Sequence, residues 1–151
     1  MKKLSEIKKI VIATDGSEYT KKSVEFAVKL AKELDAEVHG IYVMDTAAFV
    51  SVPLDAALED ILEVLREEGR RAVEYVEKVA KENGVRVKTE ILEGYPAEMI
   101  VKYAEEVGAD LISVGTLGKS GIERFILGSV SEKVIRLSKI PVMVVKGERR
   151  D

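Results

Sequence analysis

Short runs of β-branched apolar residues alternate along this chain with longer stretches of helical period, and that alternation constrains the fold more than any other feature. Residues 10–13 read Ile-Val-Ile-Ala and end at the turn Asp15-Gly16-Ser17. Ser17 suits the N-cap of a helix that carries Val24, Ala27, Val28, Ala31 and Leu34 on one face. A second strand is expected over 36–44, directly after Asp35. Residues 45–52 lack a clear period, and Pro53 closes them as a loop. A long helix then runs from about residue 54 to Asn83, where Asn83-Gly84 is a stop signal. Gly69 inside it predicts a kink or a local break. Residues 85–92 alternate as a third strand, and Glu93-Gly94-Tyr95-Pro96 makes the next turn. A helix over 97–107 ends at Gly108, a strand over 111–114 feeds a glycine-bearing loop, a helix spans roughly 129–137, and a last strand spans 140–145.

Strands that alternate with helices predict a parallel sheet with right-handed crossovers and helices on both faces. The expected fold is therefore α/β: one domain over residues 1–151, Rossmann-like, with a five-stranded parallel sheet. The strands look apolar on both sides, as strands between two helix layers should. Ligands of such sheets sit beyond the carboxyl ends of the strands, where strand order reverses. An order 3-2-1-4-5 brings the turn after the first strand and the loop after the fourth into one cleft.

Composition narrows the chemistry. Hydrophobic residues make up 46% of the chain and charged residues 34%, a globular balance, and the net charge of -3 gives no electrostatic reason to expect nucleic acid or an anionic membrane as partner. Cysteine is absent, which excludes disulfides, thiolate metal sites and thiol catalysis, and a lone histidine leaves no histidine metal cluster. The first nine residues have lysines but no long apolar core after them, and no apolar run reaches the ~20 residues of a membrane span, so a cytoplasmic protein is expected.

The loop after the fourth strand carries the clearest chemistry: GTLGKSGIERFILGSVSEKV, from Gly115 to Val134. Gly115 and Gly118 let the backbone approach a phosphate without a Cβ in the way. Gly128-Ser129-Val130 opens a helix, whose unpaired N–H groups and positive dipole end face an anion, and the Ser129 hydroxyl can add a hydrogen bond. Lys119 and Arg124 read equally as phosphate contacts or as solvated loop charges. The triplet Gly118-Lys119-Ser120 imitates the end of a Walker A loop, but the position five residues before Gly118 is Ser113, inside a strand, which argues against a P-loop.

The spacing Gly115-x2-Gly118-x9-Gly128-Ser129 resembles the ATP-binding signature of the universal stress protein family. Asp15-Gly16-Ser17, Gly94-x-Pro96 and the terminal Ile140-Pro141-Val142-Met143-Val144-Val145 resemble that family in the same order, across essentially the whole chain. The resemblance implies the ATP-binding branch, with ATP, ADP or AMP as ligand. Asp15 would hold the ribose hydroxyls, Val43 would contact adenine partly through its backbone, and Ala13 would line the base pocket. Gly115 and Gly118 would approach ribose and phosphates, while Gly128, Ser129 and Val130 would bind phosphate oxygens. A divalent ion, Mg2+ or Mn2+, would ride on the phosphates. The resemblance also implies a homodimer through the last strand, from Pro141 to Val145, where five consecutive apolar residues at an exposed edge invite pairing.

Each candidate also has a plainer reading. Asp15 alone makes an Asx turn before Gly16. His39 alternates within the second strand with no obvious partner, and Ser17 reads as a cap rather than a nucleophile. Tyr95 and Pro96 shape a turn near the cleft but outside it. Three functions fit: a nucleotide-binding regulatory module, a slow ATP hydrolase, and a dimerising protein with a vestigial pocket. The hydrolase needs a group to position water; the chain has no glutamine, and Glu123 is the one loop carboxylate available. The intact Gly-Ser pair argues against the vestigial pocket, so the expectation is a regulatory nucleotide binder.

Overall fold

The computed structural model describes residues 3–116 and 127–147. Its strands are β1 (Lys9–Ala13), β2 (Glu37–Asp45), β3 (Val87–Gly94), β4 (Leu111–Gly115) and β5 (Val142–Val145). Its helices are α1 (Glu18–Leu34), α2 (Ala56–Glu82), α3 (Pro96–Glu106) and α4 (Ser129–Leu137). All pairings are parallel and the order is β3-β2-β1-β4-β5, as the alternation predicts.

The period of two along each strand divides the core between two helix layers. Ile10, Ile12 and Val38 pack with Val24, Ala27, Val28 and Ala31 of α1 and Val76 of α2. Val11, Ile41, Ile112 and Val114 face the other way, onto Ile100, Val101 and Ala104 of α3 and Val134 of α4. The inner strands are apolar on both faces for this reason. Full burial of Ile10, Ile12, Ile41 and Ile112 contributes about 1.5–3 kcal/mol each. At the sheet edge β3 is half-buried rather than buried, with Lys88, Glu90 and Glu93 exposed, because no strand pairs its outer side among the described residues.

Several local readings need correction. Gly69 does not break α2, which runs as one helix from Ala56 to Glu82. A Cβ at Gly69 would stand 2.7 Å from Tyr42 Cδ1, so the glycine serves the close approach of the helix to that ring. Gly40 plays the same part from the sheet side, where a Cβ would lie 2.6 Å from Val76 Cγ1. α2 begins at Ala56 rather than near residue 54, because the Asp55 carboxylate accepts the Leu58 N–H at 2.9 Å and sets the N-cap there. The final strand begins at Val142 rather than residue 140, since Ile140 N–H is turned onto Ser138 Oγ. Residues 47–49 of the expected loop form a short 3-10 turn.

The fold leaves the strand ends stitched by the chain's own polar groups. Asp110 accepts the N–H groups of Lys8 and Lys9 at 2.8 and 3.0 Å, which ties the start of β1 to the start of β4. At the opposite end Thr116 N–H bonds Val145 O and Thr116 Oγ1 accepts Gly147 N–H, which fixes the carboxyl ends of β4 and β5 beside one another. Strand order reverses between β1 and β4, and the cleft of interest opens above that reversal.

Candidate functional site

A cavity of about 340 Å3 lies over the carboxyl ends of β1, β2 and β4 and is closed on one side by the start of α4. Ala13, Asp15, Val43, Gly115, Gly128, Ser129 and Val130 all line it. Gly118 falls outside the described residues, as do Lys119, Glu123 and Arg124.

The wall at β1 is a compact set of turn bonds. Asp15 Oδ1 accepts Ser17 N–H at 3.0 Å, an Asx turn, and Gly16 takes φ 78 to let the chain reverse. The turn engages Oδ1 of Asp15, a residue that lines the cavity and whose carboxylate has a second acceptor oxygen. Beneath it, Thr20 donates its hydroxyl to Ser17 O at 2.9 Å, so Thr14 donates in its 3.2 Å contact with Thr20, and Thr14 Oγ1 accepts Gly16 N–H. Ser17 holds the N-cap position of α1 with extended backbone, but its hydroxyl makes no capping bond. Its Oγ is buried without a hydrogen-bond partner, a correction to the cap reading.

The opposite wall is the first turn of α4. Gly128 is the N-cap with φ -72, and the first intrahelical bond runs from Glu132 N–H to Gly128 O. The N–H groups of Ser129, Val130 and Ser131 precede that bond and carry the positive end of the helix dipole. Gly128 differs from expectation: its own N–H is donated to Thr116 O at 3.1 Å, so it anchors the helix start. Ser131 reinforces the anchor by donating its hydroxyl to Gly115 O at 2.6 Å. Ser129 is exposed at the cavity wall.

Between the two walls the floor is mostly apolar, with Ile41 and Val43 from β2, Ile100 from α3 and Val114 from β4. Pro96 at the first turn of α3 also lines the cavity, whereas Tyr95 is 56% exposed and does not. The turn after β3 therefore reaches the cleft through its proline, contrary to its expected place outside. Sequence reasoning missed Thr14, Thr20, Tyr42, Asp45, Leu65, Thr116 and Ser131. Tyr42 and Leu65 carry no local signal, since they meet only through the packing of α2 on the sheet. His39, without a visible partner in sequence, bonds Tyr103 and Glu37, away from the cavity. Among the described residues no group of three or more His, Asp or Glu is placed to hold a metal ion, and no helix is long and apolar enough to cross a membrane.

The family model described as the universal stress protein family matches residues 6–146. A universal stress protein of Methanocaldococcus jannaschii, MJ0531, is 50% identical over 144 residues, covering 95% of this chain and 85% of that protein. The solved structure of MJ0577, from the same organism, superposes with a TM-score of 0.81 at 34% identity, covering 95% of this chain and 99% of that one. A crystal structure of a universal stress protein in complex with cAMP gives 0.64 at 28% identity, covering 93% and 97% of the two chains. On the matched span, the strand order and the chain-wide identity, this chain belongs to the universal stress protein family.

Proposed function

We propose that the cleft binds an adenine nucleotide, with ATP as the principal ligand and ADP or AMP in the same class, and that the protein is a regulatory module rather than a catalyst. The observation that carries this reading is the meeting of two unlike walls on one cavity: Asp15 and the first turn of α4, whose Ser129, Val130 and Ser131 N–H groups precede the first intrahelical bond. A carboxylate accepts ribose hydroxyls but repels phosphate, and a helix N-terminus attracts phosphate. Their separation across an apolar floor orients a nucleoside phosphate one way round. The co-crystallised cAMP of the 28% identical relative supports a nucleotide as the ligand class.

In this reading Ala13 and Val43 hold the base, Asp15 the ribose, and Ser129 and Val130 the phosphate oxygens. Gly115 and Gly118 allow close approach of the phosphates, and Gly128 supports the cradle by fixing the helix start. A divalent ion, Mg2+ or Mn2+, enters with the phosphates. The protein acts as a homodimer through β5, whose outer edge has no strand partner among the described residues, while α4, which packs against β5, exposes Ile135 and Leu137.

Titration calorimetry with ATP tests the site. Among the described residues a Cβ at Gly128 would meet no atom nearer than Thr116 O at 3.6 Å, so Gly128→Val is expected to keep the fold while placing bulk where phosphate approaches. Saturable binding in the parent chain and loss of at least about tenfold in the variant, about 1.4 kcal/mol, is the expected result. Equal affinity in both proteins would remove the α4 cradle from the account.

A further inference from the structure

One carboxylate in the cleft is left over by the ribose and phosphate assignments. Asp45 lines the cavity from the end of β2, is exposed, and makes no side-chain hydrogen bond or ion pair among the described residues. Its place follows from unequal strand lengths. Ala13, the last residue of β1, pairs with Ile41, and beyond that point β2 runs on to Asp45 beside β3 alone. Thr14 N–H still reaches Ile41 O at 3.0 Å, and there the chain turns away through Asp15-Gly16-Ser17. Backbone polar groups of a strand point to alternate sides, so Val43 and Asp45 turn theirs the same way as Ile41, onto an edge that β1 no longer covers. The side chain of Asp45 shares the strand face of Ile41 and Val43, which form part of the cavity floor.

Across the cleft, strand order becomes an order of chemistry. β2 carries Asp45, β1 leads into Asp15, and the start of α4 is tied to the end of β4 through Gly128 N–H and Thr116 O. β2 and β4 flank β1, two strand spacings or about 9.5 Å apart. With the ribose at Asp15 and the phosphates on α4, the base is carried toward β2. A cation that rides on the phosphates belongs to the α4 end, away from Asp45. The base edge is what remains for this carboxylate to meet.

We propose that Asp45 is a specificity-determining residue, which reads the amino edge of the base and makes the site select adenine over purines with a carbonyl at C6. The proposal rests on the nucleotide reading and adds to it the side chain that chooses the base. A carboxylate accepts and never donates. Adenine presents an amino donor at C6, whereas hypoxanthine and guanine present a carbonyl oxygen there. Adenine can therefore donate to Asp45, while the carbonyl sets a second acceptor against a negative charge. The Val43 backbone has both a donor and an acceptor, so a small shift lets it pair with either edge. Asp45 has no such freedom, and it is the group that tells the two apart.

Calorimetric titrations of the whole chain with ATP and with inosine triphosphate, which differ at C6 and the adjoining N1, test the assignment. The parent chain is expected to favour ATP by about tenfold or more, the scale of one hydrogen bond to a charged group. Asp45→Asn keeps the size of an exposed side chain, so the fold is retained, and its amide can donate to a carbonyl as well as accept from an amino group. The preference for ATP is expected to shrink about tenfold in that variant, chiefly through tighter binding of inosine triphosphate. The Val43 backbone is the same in both proteins, and a merely structural role for Asp45 would weaken both nucleotides together, so a changed ratio belongs to the side chain at position 45. An unchanged ratio of the two Kd values in the variant, or a parent chain that binds both nucleotides alike, overturns the role of Asp45 while the nucleotide site stands. A parent chain that binds neither overturns the nucleotide reading and this assignment with it.

Discussion

Gly69 shows how a residue can be noticed in sequence and explained only in space. In a helix interior a glycine costs about 1 kcal/mol relative to alanine, so its presence within α2 asks for a reason. The reason is Tyr42, whose ring stands where a Cβ would go, at 2.7 Å. Tyr42 is 27 positions away in sequence, and no local pattern connects the two. Gly69→Ala is therefore expected to destabilise despite the gain in helix propensity, because overpacking of 1–3 kcal/mol exceeds it. A fall in Tm of about 2–4 °C corresponds to a net loss near 1 kcal/mol at this size. A rise in Tm would restore the reading of Gly69 as a mere weak point in the helix. Asp15 lies at the other extreme. Its Asx turn was legible from Asp15-Gly16-Ser17 alone, and the turn uses Oδ1 of a residue that also lines the cavity, so the plain and functional readings are compatible.

At the scale of elements, the alternation of periods was enough to read every helix and strand and their order, because inner strands between two layers are apolar and the helices are amphipathic. The ends were less legible. They were set by side chains that bond backbone groups, as Asp55 does at α2 and Ser138 does before β5. Asp110 is the strongest such tie, since one carboxylate oxygen accepts two N–H groups from the start of β1. Asp110→Ala is expected to cost about 1–3 kcal/mol in denaturant unfolding, since it removes the shared acceptor of both N–H groups. A change within ±0.5 kcal/mol would show that water replaces the carboxylate freely. The edge at β5 yields a second prediction. Ile135 and Leu137 are 41% and 44% exposed, so Ile135→Glu with Leu137→Glu should leave the fold intact and shift the proposed dimer to monomer in sedimentation. A parent chain that sediments as a monomer would contradict the β5 interface.

For the molecule as a whole, the cleft is a property of topology. The reversal between β1 and β4 brings together residues a hundred positions apart, Asp15 and Ser129 among them, and the order 3-2-1-4-5 was sufficient to pair their two turns in advance. The residues that complete the floor, such as Tyr42 and Leu65, depend on how α2 lies on the sheet and were not legible. The Glu37–His39–Tyr103 network between β2 and α3 gives stability a bounded pH range. His39 and Glu37 both sit below their ordinary values, so acid unfolding should begin as pH falls below 6.5 and deepen below 4.5. Tyr103 sits above its ordinary value, so stability should fall again as pH rises past 10. Urea midpoints that stay flat from pH 7.5 to 5 would contradict the first limb. The central claim, that the cleft is a nucleotide site, is tested most directly by releasing what freshly purified protein carries and identifying it by absorbance at 260 nm and chromatography. An adenine nucleotide approaching one per chain is the expected result, or saturable uptake of added ATP where the protein has been stripped. Protein that releases no nucleotide and binds no ATP when titrated would contradict it.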